Sequence, residues 1–138
     1  MPDPSFHSLC RWTFHEGVGR FVPSGVRPAW RPDRFGTPEF IHLVYEQIGP
    51  RLPDHIELGV EMHYNNEYNE DNAAAIAEAL DDTGIALAMV TPGAHLHFAY
   101  GGIASLDADE RAAAEAFGER SVELAYGPLR KGWHDDPT

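Results

Sequence analysis

The sequence predicts an α/β fold built from three successive strand–helix units. Stretches typical of β-strands occur near residues 6–14, 56–64 and 85–91. A segment with apolar residues at helical spacing follows each of them. Strands that are joined through helices pair in parallel by right-handed crossovers, so we expect one parallel sheet.

The first unit contains the longest connection in the chain. Its strand is predicted from Phe6 to Phe14, and residues 15–36 form a Pro- and Gly-rich segment after it. Connections of this length are uncommon in compact domains and usually functional or disordered. Thr37 as a capping residue and Pro38 at the first helical position indicate a helix start, and Gly49 and Pro50 should end that helix.

The second unit alternates in hydrophobicity and then changes to helical spacing. A strand is predicted over 56–64, where polar and apolar residues alternate with a period of two. The helix is expected from about Glu70 to Asp82, with Asn69 as its cap. Gly84 is a typical left-handed C-terminal residue.

The third unit begins with a nearly continuous apolar stretch, residues 85–91. Such a strand is expected to be buried on both faces of a parallel sheet. The helix after it is predicted from about Ala108 to Ala125. Asp107 and Glu110 have the spacing of a capping box, and Gly127 and Pro128 should end the helix.

Composition and charge restrict the class of partner and compartment. The net charge of −12 argues against nucleic acid and anionic membranes, because both are polyanions. The single cysteine, Cys10, allows no internal disulfide and favours a reducing compartment. The first ten residues lack the basic and apolar regions of a signal peptide, so we expect a cytoplasmic protein.

Three units leave a parallel sheet with two open edges and one uncovered face, which complete folds normally cover. A closed eight-stranded barrel needs about 250 residues, and the chain has 138. We therefore interpret residues 1–138 as an incomplete barrel domain. The alternative is a small fold that is either self-contained in three layers or covered by another subunit in an oligomer.

Ligand sites of parallel α/β folds lie at the carboxyl ends of the strands. Glu61 and His63 are two residues apart near the end of the second strand, so their side chains should share one face. A histidine beside a carboxylate is suited to proton transfer near neutral pH. The alternative is that His63 only bonds a backbone carbonyl at the strand end.

Two other polar groups are weaker candidates. His95 and His97 have the spacing of metal ligands on an extended loop, but no third ligand is nearby in the sequence. Glu67, Glu70 and Asp71 are interpreted as the solvated start of a helix, where acidic residues match the helix dipole.

Three patches resemble the N-terminal part of the xylose isomerase-like TIM barrels, the sugar isomerase/epimerase family. They are Trp12-Thr13 with the Pro-rich segment that ends in Arg27-Pro28-Ala29, Gly59–His63, and Met89–Thr91 followed by Gly101-Gly102. The resemblance covers nearly the whole chain. It implies the first three βα units of a partial (β/α)8 barrel.

The resemblance also implies an activity and roles for individual residues. The family interconverts aldoses and ketoses, or epimeric sugars, with divalent Mg, Mn or Co, and the intact protein would be a homo-oligomer. His63 would bond the ring oxygen or anomeric hydroxyl of the sugar, and Trp12 would form an apolar wall. Thr91 would line the pocket, His95 stands where the family has an aromatic wall, and Phe21 where it sends an aromatic into a neighbouring subunit.

The chain also departs from the family pattern. Tyr64, Asn65 and Asn66 stand where the family has acidic residues, which favours a divergent branch such as an epimerase. The family's metal ligands come from later strands, so we expect this chain alone neither to bind the metal nor to convert sugar. A dehydratase, a lyase that cleaves C-glycosides and a non-catalytic assembly module remain alternatives.

Overall fold

The computed structural model describes residues 5–11, 36–127 and 129. Three strands and three α-helices alternate along this part of the chain, and the strands form one parallel sheet in the order β1-β2-β3. The predicted α/β class and the parallel sheet are therefore confirmed. The elements are β1 (Ser5–Cys10), α1 (Thr37–Leu43), β2 (Ile56–His63), α2 (Ala73–Thr83), β3 (Ala86–Thr91) and α3 (Ala108–Tyr126).

The register of the sheet brings the carboxyl ends of the strands together. Glu61 of β2 pairs with Cys10 of β1 on one side and with Met89 of β3 on the other. His63 pairs with Thr91 at the end of the sheet. The register between β2 and β3 shifts next to Val60, so β3 has one additional residue there.

The hydrophobic core lies on the side of the sheet that the helices cover. Val60 and Met62 of β2 and Leu87 of β3 point to this side and are almost completely buried. Because side chains alternate along a strand, the even-numbered residues of β2 supply the core. The helices contribute these buried side chains to the same cluster: Phe40, Ile41, Ile76, Ala79, Leu80 and Leu124.

The opposite face of the sheet is only partly covered. Phe6 of β1 and Met89 of β3 are 43% and 48% exposed, and Ala88 is exposed as well. The prediction that the third strand is buried on both faces is therefore wrong for the described part of the chain. The physical reason is that the described helices pack against one face.

The first helix begins differently from the prediction. Gly36 is its N-cap and Thr37 is already inside the first turn. The buried Thr37 hydroxyl donates instead to the backbone carbonyl of Glu67. After Leu43 the chain continues as a π-helical turn over Val44–Ile48 and then as a 3₁₀ turn over Gly49–Arg51. The predicted end of the helical segment near Gly49 is therefore confirmed.

The second helix begins three residues later than expected. Asn69 Oδ1 accepts from the backbone N–H of Asp71 at 3.0 Å and of Asn72 at 3.3 Å, so these residues form a turn. Asparagine side chains commonly compete with helical hydrogen bonds in this way. The C-terminal prediction is confirmed: Gly84 has a φ of 69°, and its N–H donates to Leu80 O.

The third helix has the predicted N-cap residue but not the predicted capping box. Asp107 is the N-cap, and its carboxylate accepts from the backbone N–H of Asp109 at 2.9 Å. Glu110 does not reach back to Asp107. Its carboxylate accepts from the backbone N–H of Tyr100 at 2.9 Å, because the preceding loop folds over the helix start.

The first strand is shorter than predicted. It ends at Cys10, and Arg11 lies in a turn, so the predicted continuation of the strand is wrong at Arg11. The rest of that prediction, up to Phe14, lies outside the described residues. None of the helices in the described ranges is long and apolar enough to cross a membrane.

Candidate functional site

The carboxyl end of β2 holds a histidine–carboxylate pair. Glu67 Oε2 lies 3.1 Å from His63 Nδ1 and accepts from the His63 backbone N–H at 2.7 Å. Glu67 is only 6% exposed and His63 is partly buried. The carboxylate that contacts His63 is therefore Glu67, which follows it by four residues.

A tight turn brings Glu67 back to the strand end. The backbone N–H of Glu67 donates to His63 O at 3.0 Å, and the N–H of Asn65 donates to Tyr68 O at 2.9 Å. Asn65 has a φ of 70°, a left-handed conformation that asparagine tolerates better than most residues. The turn requires this conformation to reverse the chain within a few residues.

Neighbouring elements fix the backbone of Glu67. Its carbonyl accepts from the Thr37 hydroxyl of α1 and from Asn72 Nδ2 at 3.1 Å. At the end of β1, Arg11 Nη1 lies 4.0 Å from Glu67 Oε1. A buried carboxylate needs hydrogen bonds and opposite charge to offset its desolvation, and Glu67 receives both.

The pair determines how the imidazole can act. An ionised carboxylate only accepts hydrogen bonds, so the His63 nitrogen beside Glu67 acts as a donor. We infer that neutral His63 carries its proton on Nδ1 and its basic lone pair on Nε2. This tautomer can accept a proton, or a hydrogen bond from a hydroxyl, through Nε2.

Glu61 lies on the same face of β2 as His63, as its spacing predicted, and is partly buried. Thr91 stands beside His63 in the neighbouring strand. Its carbonyl accepts from the Tyr64 backbone N–H at 2.7 Å. The Thr91 Oγ1 atom is buried, with no hydrogen-bond partner among the described residues. A buried hydroxyl without a partner is unusual, and a polar ligand could satisfy it.

The remaining predicted residues are less closely connected to His63. His95 is exposed in a short turn, Ala94–Leu96, after β3. Gly93, directly before that turn, has a φ of 62°, and a Cβ built on it would lie 3.5 Å from His63 Cβ. Trp12 and Phe21 lie outside the described residues.

A second polar network joins the turn after β2 to α3. Glu70 Oε1 accepts from Tyr64 OH at 3.0 Å and from Arg120 Nε at 2.6 Å, while Arg120 Nη1 donates to Glu123 Oε2 at 2.8 Å. The bond from Arg120 lowers the pKa of Glu70, and the bonds to Glu123 and Glu70 raise the pKa of Arg120. Burial raises the pKa of Tyr64, and the hydrogen bond and negative charge of Glu70 raise it further.

Tyr68 provides a further connection between this turn and α3. Its hydroxyl lies 2.6 Å from Ser121 Oγ, and both residues are buried. Burial raises the pKa of the Tyr68 phenol, so the group stays neutral at ordinary pH. The chain around Glu67 is thus connected to α3 by the buried Tyr68–Ser121 contact and by the exposed Glu70–Arg120 ion pair.

The interpretation of Glu67, Glu70 and Asp71 as solvated acidic residues is wrong for Glu67. Glu67 is buried against His63, whereas Glu70 and Asp71 are exposed, and Glu70 in addition bonds Tyr64 and Arg120. The available signal was the spacing of four residues between His63 and Glu67. That spacing is uninformative unless the turn between them is known.

Across the described ranges, no group of three or more His, Cys, Asp or Glu side chains is arranged to hold a metal ion. Comparisons of the chain with protein-family models, with curated proteins and with solved structures found no match.

Proposed function

We propose that the chain forms part of a sugar-handling (β/α)8 barrel, a divalent-metal-dependent isomerase or epimerase that interconverts aldoses and ketoses or epimeric sugars. The observation that carries the proposal is the His63–Glu67 pair at the carboxyl end of a parallel sheet. This is the end at which barrels of this kind place their ligands. The resemblance to the xylose isomerase-like barrels in the sequence supports the same function.

The sheet topology supports a barrel over other α/β folds. Its strands occur in sequence order with parallel neighbours, as the strands of a barrel do. Doubly wound sheets reverse their strand order at a switch point and carry helices on both faces. Here the helical core lies on one face, and Phe6 and Met89 are exposed on the other, which would be the barrel interior.

In the proposed site, His63 Nε2 accepts a hydrogen bond from a sugar hydroxyl or takes its proton. Glu67 orients the imidazole and stabilises the imidazolium that would form. The Thr91 hydroxyl lines the same end of the sheet, and Glu61 is a second acid on the same face. His95, Trp12 and Phe21 are proposed to contribute to substrate binding, as the resemblance implies.

The described residues do not form a metal site by themselves. If a divalent metal takes part, as the resemblance implies, ligands from beyond the described residues are required to complete its coordination. In such enzymes the metal polarises the carbonyl and hydroxyl oxygens of the sugar. The role proposed for His63 and Glu67 is proton transfer and hydrogen bonding, and it does not depend on where the metal lies.

The proposal predicts a direct contact between sugar and His63. When aldopentoses, aldohexoses and ketohexoses are titrated into the ¹³C-labelled protein, the ring Cε1–H resonance of His63 should shift saturably with at least one sugar. We expect weak, millimolar binding. His63→Asn should abolish it, whereas His42→Asn on α1 is the matched control and should leave it unchanged. Saturable binding that survives His63→Asn, or no response to any sugar, would contradict the proposal.

A non-catalytic assembly module is the second candidate, and the exposed Phe6 and Met89 favour it. In that function the uncovered face of the sheet would pack against another protein surface. The sugar titration separates the two candidates, because an assembly module has no reason to place a sugar against His63.

A further inference from the structure

The loop between β3 and α3 exposes three large apolar side chains. Tyr100, Ile103 and Leu106 are 80%, 74% and 100% exposed, more than any other large hydrophobic residue in the described ranges. They stand within one short segment of the chain. Soluble domains rarely present such a group without an interaction to make, whereas single exposed apolar residues are common.

The loop is held in a defined conformation. The backbone N–H of Tyr100 donates to Glu110 Oε1 at 2.9 Å, and Arg111 Nη1 donates to Ser105 O at 2.7 Å. Gly102, with a φ of 60°, is buried against Ala114 of α3. The apolar side chains are therefore presented on a backbone that α3 fixes. A preorganised surface loses little conformational entropy when it binds.

The charge around the loop restricts its partner. Asp107 follows Leu106 directly, Asp109 lies two residues further on, and both are exposed. Arg111, which bonds Ser105 of the loop, is the first Lys or Arg after Arg51 in the sequence. With a net charge of −12, a second copy of the chain and an anionic membrane would both be repelled. A cationic protein surface would be attracted.

We infer that Tyr100, Ile103 and Leu106 form a docking surface for a protein segment with an apolar face bordered by Lys or Arg, such as a cationic amphipathic helix. The apolar residues would supply the buried centre of the contact and Asp107 and Asp109 its charged border. Interfaces commonly combine a central apolar cluster with a polar rim. The inference does not depend on the proposed sugar chemistry.

The probe is a fluorescein-labelled amphipathic helix made of Leu and Lys, and a Leu/Glu helix of the same pattern is its control. Fluorescence anisotropy should show that the protein binds the Leu/Lys helix and not the Leu/Glu helix. The double variant Ile103→Ser/Leu106→Ser should weaken binding by about tenfold or more, as expected for the centre of an interface. Val122→Ser, at an exposed position of α3, should change it less than about twofold.

Salt dependence tests the charged border. Affinity should fall as NaCl is raised to about 0.3 M, and the fall should be smaller in Asp107→Asn/Asp109→Asn. Asparagine also serves as a helix cap, so α3 should remain folded in this variant.

Three outcomes would overturn the inference. Unchanged binding in Ile103→Ser/Leu106→Ser would place the peptide elsewhere on the acidic surface. Dimerisation in light scattering that this variant abolishes, without peptide binding, would assign the surface to a second copy. Co-sedimentation with phosphatidylcholine vesicles, again without peptide binding, would assign it to a membrane.

Discussion

Glu67 is the residue on which the candidate site depends. Its carboxylate accepts two bonds from His63, its carbonyl is held by Thr37 and Asn72, and Arg11 lies close enough to balance its charge. Each of these contacts satisfies a polar group that would otherwise be costly to bury. The Glu67 side chain thus connects the end of β2 to the end of β1, and its backbone carbonyl connects the same turn to α1 and to the N-cap of α2.

Replacement of Glu67 should change both the tautomer of His63 and the stability of the fold. In Glu67→Ala, we expect the ¹⁵N shifts of the His63 ring to move from the Nδ1–H form towards the Nε2–H form, because the acceptor beside Nδ1 is gone. The backbone N–H of His63 loses its partner as well, which costs about 1–3 kcal/mol in the free energy of unfolding.

Two variants act as controls for this prediction. Glu67→Gln keeps an acceptor oxygen, so it should retain the Nδ1–H form with a smaller loss of stability. Glu78→Gln, at an exposed position of α2, should leave both the ring shifts and the unfolding free energy unchanged. If His63 already has the Nε2–H tautomer in the unmodified protein, the proposed orienting role of Glu67 is incorrect.

At the scale of the elements, the residues at the helix ends are the most informative local signals for the fold. Gly84 ends α2 in the left-handed region, where a side chain is strained, and Asp107 caps α3. Where another part of the chain offers a partner, the local rule fails. The Thr37 hydroxyl bonds the Glu67 carbonyl instead of capping α1. The Glu110 carboxylate accepts from the Tyr100 backbone N–H instead of forming a capping box with Asp107.

Two glycine-to-alanine substitutions should have opposite effects. Gly84→Ala should lower the free energy of unfolding by about 1–2 kcal/mol, because a non-glycine residue is strained at a φ of 69°. Gly118→Ala, inside α3, should raise it by about 0.5–1 kcal/mol, since a Cβ built there meets nothing within 4 Å. Urea denaturation measures both. A loss of stability in Gly118→Ala would contradict the argument for α3, and a gain in Gly84→Ala would contradict the argument for the left-handed helix end.

At the scale of the whole molecule, the sheet is covered on one side by its helices and is open on the other in the described ranges. The exposed face carries Phe6 and Met89, and the covered face carries the hydrophobic core. In the proposed incomplete barrel, the uncovered face would become the barrel interior. An assembly module would instead cover the face with a partner.

An exposed apolar face should bind hydrophobic dyes in the native state. We expect anilinonaphthalene sulfonate fluorescence with the folded protein, and the double variant Phe6→Ser/Met89→Ser should reduce it strongly. Tyr45→Ser, at an exposed position on the helical side, should reduce it little. Weak fluorescence that all three proteins share would mean that the face is covered in solution. Light scattering then shows whether a second copy covers it.

Much of the fold could be predicted from the sequence because its signals are local. Short strand-like stretches, each followed by a segment with helical spacing, predicted the number, type and order of the elements. Gly84 and Asp107 predicted helix ends through their own conformations. The shared face of Glu61 and His63 followed from strand geometry alone. These features depend on residues that are near one another in the chain.

Only the tertiary structure decided which groups meet. It placed Glu67, rather than Glu61, against His63, because a turn with a left-handed Asn65 folds the chain back on the strand end. It brought Arg11 to that carboxylate and Thr37 to the backbone carbonyl of Glu67 from distant parts of the sequence. The tertiary structure also left one face of β3 exposed. The apolar sequence of a strand indicates that it can be buried, but the elements packed against the sheet determine which of its faces is buried.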